Sequence, residues 1–390
     1  MGKSIRSVVA ALCEVGDLDV LALRAEIDMQ VSAREFGWVT ELGAELASQG
    51  AAGKDTHGLC TVALDHVLRA LLAQPGVESL YALLRVPASP YLDGPDVLAA
   101  ERRLASLVAR NYRPGDIARS VFNPECQSVH SVEFSACVIY ELVLLSVELE
   151  EFTSIRSYVR ALVDAGHPLA VLPMSLLPVE SGLRRPLGAA DDWTWAVPPT
   201  STTTFDAPEL HSTLPMRQRV AGLEVTEMSV EESAEVMGSA VQHWCADSNG
   251  TIAAQEFWIS EPVRNEDFPA AFALLPLVAW SGGQASARLY PSSPDSVFRV
   301  LLSAAVRGSA YGHGLYGAYG RLATWRSFGG LVGTPADASI VSVADMVGRV
   351  DWFQMDTASG WFHGIAWDLA VAALRSGGQE IAVLAATDTD

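Results

Sequence analysis

The stretch Tyr311-Gly312-His313-Gly314-Leu315-Tyr316-Gly317-Ala318-Tyr319-Gly320-Arg321, with Trp325 and Arg326 just behind it, gathers residue types suited to holding small molecules. Tyrosine rings offer an amphipathic wall, histidine titrates near neutrality, and a guanidinium matches carboxylate or phosphate geometry. The pattern predicts a pocket lined by Tyr311, His313, Tyr316 and Trp325, with Arg321 or Arg326 holding an anionic group. The same stretch contains a literal GxGxxG at Gly312, Gly314 and Gly317, and Asp337 lies at a separation compatible with a ribose-binding acid. A dinucleotide site, however, needs strand, turn and helix in that order. Val297 to Val306 has the apolar spacing of a helix, so the glycines read as points of close packing.

A second stretch, Asp356 to Asp368, places His363 and Trp367 four residues apart behind Ser359, a helix-capping residue type. His363 and Asp368, with His313, are the candidate catalytic groups, because a carboxylate beside an imidazole supports acid–base work. Asp388 and Asp390 with Asp356 would suit magnesium, but nothing in their spacing brings the carboxylates together. Cys126-x3-His130-x6-Cys137 supplies three zinc-ligand types that do not share one helix face. No metal site is expected, and the sequence assigns no cofactor.

Lysine scarcity excludes more than any motif includes. Only Lys3 and Lys54 occur, which leaves Schiff-base and PLP chemistry almost nowhere to reside. Lys54 follows Gly50-Ala51-Ala52-Gly53, but Ser48 stands where a phosphate loop has its first glycine and Asp55 where it has Ser or Thr. No GxSxG elbow is present. A formal net charge of −20 repels phosphate backbones and anionic lipid, so neither nucleic acid nor membrane is an expected partner. The longest uncharged run, Phe268 to Ala287, is broken by prolines and glycines. Glu14 and Asp17 interrupt the apolar run after Lys3 and Arg6, and five cysteines without a CxxC pair read as reduced thiols. A cytoplasmic location is expected.

The elements that must position these residues fall into two parts. Up to about Leu172, apolar residues recur at helical spacing, as at Leu64, Val67, Leu68, Leu71 and Leu72, predicting an all-helical region, solenoid-like or irregular. Prolines and a Ser/Thr run then break the pattern, and nine of the ten tryptophans lie in or after this break. The expected organisation is a helical domain over 1–172, a Pro/Thr-rich linker over 173–215 and a mixed α/β domain over 216–390. Within the last, strands are predicted at Gly222 to Met228, Thr251 to Ile259, Ala285 to Tyr290 and Glu380 to Ala385. Helices are predicted at Val230 to Cys245, Phe268 to Trp280, Asp295 to Arg307 and Trp361 to Leu374. The fold class is α+β or α/β, with a sheet flanked by helices.

His313 to Arg326, Ala366-Trp367-Asp368 and the ending Leu384 to Asp390 resemble an uncharacterised actinobacterial family over about the last 80 residues. The resemblance implies a bacterial protein and no assigned activity. The functional expectation is that the C-terminal domain binds a small anionic molecule or peptide, with turnover left open. The alternative is a non-catalytic helical scaffold that binds a protein partner.

Overall fold

A computed structural model describes residues 4–14, 20–55, 58–88, 97–123, 129–183, 205, 207–281, 287–365, 367–375 and 377–389. The described residues divide into two units, one up to residue 170 and one from residue 171 onward. Residues 173–183, expected as the start of a linker, are thus part of the second unit, and 184–204 of the linker expectation lie outside the described residues.

The first unit is helical throughout its described length. Leu59–Leu72 is touched by Ile5–Glu14, Val20–Ser32, Phe36–Ala51 and Val77–Leu83, so this part is a bundle around one helix and not a stack of successive pairs. The stripe Cys60, Leu64, Val67, Leu68 and Leu71 of that helix is buried, as its spacing requires. Val97–Asn111 and Val132–Leu144 pack against each other, and the buried Glu101 carboxylate accepts hydrogen bonds from the Ser131 backbone and hydroxyl. Cys60 takes part in a disulfide, which corrects the expectation of reduced thiols throughout, whereas Cys137 and Cys245 are free.

Among the described residues the second unit is built on six strands: β1 Val225–Glu227, β2 Thr251–Ile259, β3 Leu289–Ser292, β4 Asp351–Met355, β5 Trp367–Leu374 and β6 Glu380–Asp388. They lie in the order β1-β2-β6-β5-β4-β3, and every pair is antiparallel. This is an α+β sheet; the alternation of strands and helices in sequence does not produce a parallel βαβ arrangement. One face, with Phe257, Phe353, Ala370, Val383 and Ala385, packs on Phe268–Phe272, Leu275 and Leu277. The other is covered by Glu231–Gly238, Pro294–Val306 and Tyr316–Val332.

Several elements differ from expectation for identifiable reasons. Trp367–Leu374 is a central strand, not the end of a helix. It is buried on both faces, so its Leu/Ala/Val run carries no period-2 alternation to distinguish strand from helix. Val230 to Cys245 breaks into Glu231–Gly238 and Gln242–Asp247, and Phe268 to Trp280 holds only a short helix before Pro276. Among the described residues no helix is long and apolar enough to cross a membrane.

Candidate functional site

The glycine–aromatic stretch is a loop running into a helix, Tyr316–Val332, preceded by the helix Pro294–Val306. No strand feeds it, so GxGxxG is not a phosphate turn here. A methyl group at Gly314 would run into the Val306 carbonyl and one at Gly312 into the Asp247 side chain, so these glycines serve close packing. Tyr311 and His313 are exposed on the loop, while Tyr316 is buried at a left-handed φ of 56°. Arg321 points the other way and is fully buried. Its Nε donates to Glu180 Oε1 at 2.6 Å, one terminal nitrogen to Glu180 Oε2 at 2.9 Å, and both terminal nitrogens reach backbone carbonyls of Pro173 and Ser175 at 2.9 Å. Trp325 Nε1–H donates to the same carboxylate at 2.9 Å. Arg321 and Trp325 are therefore committed to Glu180 and do not converge with His313 on a ligand. Arg326, one residue on, is exposed.

His363 and Asp368 do come together, at the end of the sheet where β5 begins and β6 finishes. The His363 backbone N–H donates to Thr387 Oγ1 at 3.0 Å, and that hydroxyl donates to Asp368 Oδ1 at 2.6 Å. The Gly364 N–H reaches Asp368 Oδ2 at 2.9 Å. Burial raises the Asp368 pKa, opposed by these bonds and by the His363 charge. The neighbouring Asp388 accepts from the Ala310 N–H at 2.6 Å, so the His313 loop is fastened to the same sheet end. Asp356 instead holds Arg288, and Asp390 lies outside the described residues. His130 lies 3.7 Å from Glu101 and Cys137 is buried with its pKa pushed well up, while Cys126 lies outside the described residues. Among the described residues no group of three His, Cys, Asp or Glu side chains is placed to hold a metal.

Clefts that open among the described residues of the second unit include two with charged lining. The first, about 490 Å³, has Phe272, Leu275, Leu277, Trp280 and Leu289 among its lining, with Arg217, Arg288 and His211 also on it. Arg217 Nε donates to Ser212 Oγ at 3.0 Å, and Arg288 Nε to Asp356 Oδ2 at 2.7 Å. The second, about 560 Å³, is lined by Glu235, Gln242, His243, Tyr319 and Arg326, with Leu322 and Ala323. His243 Nε2 lies 3.0 Å from the Arg307 carbonyl, so Nε2 carries the proton and Nδ1 is left as an acceptor.

Residues 22–390 match the profile of a family of unknown function (DUF6183). The chain belongs to this family. The match runs well beyond the last 80 residues to which the expected family likeness was confined. No curated protein and no solved structure matches the chain.

The polar groups lining these two clefts of the DUF6183 chain are ones that the sequence did not single out, Arg326 excepted. Glu180 carried no signal, because its partner Arg321 lies 141 residues away. Arg217 and Arg288 are ordinary surface types until the fold brings them to one cleft. His243 sat beside Cys245 in sequence, but that thiol donates to the Gly250 carbonyl, and burial and Asp388 raise its pKa, so it rests as a thiol.

His243 has a testable titration. Burial lowers its pKa from 6.5, so the folded ring stays neutral where the unfolded one takes up a proton. The unfolded state then binds more protons, and this contribution to stability is lost as pH falls below 6.5. In His243→Gln the difference in urea-unfolding free energy between about pH 7.5 and about pH 5.5 is expected to shrink. An undiminished difference would remove His243 from the account.

Proposed function

We propose that the second unit of this DUF6183 protein binds a small organic anion in the first cleft. Arg217 and Arg288 hold its carboxylate or phosphate, and Phe272, Leu277 and Trp280 take its apolar body. One observation carries this reading. Both arginines are fixed through Nε, to Ser212 and to Asp356, which among the described residues leaves the paired terminal nitrogens of each guanidinium open to a ligand in the same cleft. Glu209 lines the same cleft and Asp356 pairs with Arg288, which leaves Arg217 as the lining cation without a carboxylate partner among the described residues. The cleft volume lies in the range of small-molecule sites. His211, with Nδ1 3.3 Å from Glu209 Oε1, also lines the cleft.

The test is thermal stabilisation by octanoate, 4-phenylbutyrate and phenyl phosphate. A ligand at 100 times its Kd stabilises by about 2.7 kcal/mol. Arg217→Ala and Arg288→Ala each remove charge-assisted hydrogen bonds worth about 1.5–3 kcal/mol, so each is expected to weaken binding by roughly tenfold or more. Stabilisation that survives the double variant, or none from any of the three anions, would overturn the reading.

A further inference from the structure

The second cleft presents both signs of charge without pairing them. Glu235, on the helix Glu231–Gly238, and Arg326, on the helix Tyr316–Val332, line it together and are exposed. Among the described residues neither makes an ion pair with the other or with a third group. Most exposed charges are solvated singly and mean nothing by themselves. What distinguishes this pair is the wall they share.

That wall includes His243, whose side chain is buried to a relative exposure of 5% yet lines the cleft. Its Nε2–H is spent on the Arg307 carbonyl, and its Nδ1 lone pair is buried without a partner. Because Nδ1 is itself buried, the ring lends the wall a neutral surface and no hydrogen bond to the cleft. The ring stays neutral because burial disfavours its charged form, which keeps Nδ1 an acceptor. Gln242 adds an amide, and Tyr319, Leu322 and Ala323 add apolar surface.

We propose that this cleft is a second small-molecule site, which takes a zwitterion of the α-amino-acid class. Arg326 receives the carboxylate and Glu235 receives the ammonium group, with the Gln242 amide beside them. A simple amine would leave Arg326 unmatched, and a simple anion would meet Glu235. The roughly 560 Å³ available accommodates a side chain beyond the backbone groups. The site is separate from the arginine-lined cleft, and neither reading depends on the other.

The experiment uses the full chain carrying Arg217→Ala and Arg288→Ala, so that anions cannot report binding at the first cleft. Each common L-amino acid is tested at millimolar concentration for a rise in Tm, and the best is titrated beside its deaminated acid and its α-amide. At least one amino acid is expected to raise Tm, with both analogues binding about tenfold more weakly or worse. Arg326→Ala and Glu235→Ala, both exposed and therefore compatible with folding, are expected to weaken it by the same order. No rise with any amino acid, equal binding of either analogue, or undiminished binding in both variants would overturn the proposal.

Discussion

Glu180→Ala is expected to destabilise the second unit by about 3–5 kcal/mol, because it strands a fully buried guanidinium without its counter-charge. The Glu180 carboxylate accepts from Arg321 through both oxygens, from the Trp325 indole at 2.9 Å and from the Leu177 N–H at 2.7 Å. Its removal therefore leaves several donors unmatched in a region that water does not reach. The pair itself need not be a net stabiliser, since desolvating two charges offsets much of their attraction. Arg321→Met combined with Glu180→Leu is accordingly expected to cost less than Glu180→Ala alone. Urea unfolding followed by tryptophan fluorescence is the suitable readout, because only Trp38 lies in the first unit. A loss below about 1 kcal/mol in Glu180→Ala would mean that the interior around Arg321 admits water or a substitute anion.

This pair also shows what the sequence could and could not reveal. Arg321 stands out in the sequence by its aromatic and glycine-rich neighbours, which point to a ligand group. Those neighbours were instead the signature of a buried helix. Gly317, Gly320, Gly329 and Gly330 are all buried along Tyr316–Val332 and allow close approach on several sides. Such a helix is buried on nearly every side, with polar residues scattered along it, so it carries no amphipathic stripe from which its burial could be inferred. The partner that settles Arg321's role arrives from residue 180, a separation no local pattern encodes.

Elements with one wet face were legible. Thr251–Ile259 alternates buried and less buried positions and coincides with the strand its sequence predicts, and Pro294–Val306 differs by a single residue at each end from the helix predicted at Asp295 to Arg307. The sheet's centre was not. β5 and β6 are almost wholly buried, and antiparallel pairing of strands far apart in sequence can mimic a βαβ order when helices intervene. The accessible clefts were legible only through Arg326. Cleft chemistry here depends on residues such as Arg217 with Arg288, which 70 positions of chain separate and which only the sheet's edge and its covering segment bring together.

Phe328→Ala is expected to be the other severe substitution, at about 3–5 kcal/mol from lost burial and the cavity left behind. Its ring is fully buried and lies 5.5 Å from Phe298, 5.9 Å from Trp325 and 4.8 Å from Trp352, measured between centroids. These four rings join Pro294–Val306 and Tyr316–Val332 to β4, so Phe328 is where two helices and the sheet share one contact. The ring–ring geometries are tilted, an arrangement worth about 0.5–1.5 kcal/mol per pair beyond burial, and a methyl group recovers none of it. Phe328→Leu keeps much of the volume and gives up only the aromatic part, so its loss is expected to be clearly smaller. Because Trp325 bonds Glu180 and also packs on Phe328, Phe328→Ala and Glu180→Ala should couple when combined. Strict additivity in that cycle would show that the aromatic contact and the buried ion pair respond independently, and would separate the packing of the two helices from the anchoring of residues 171–183.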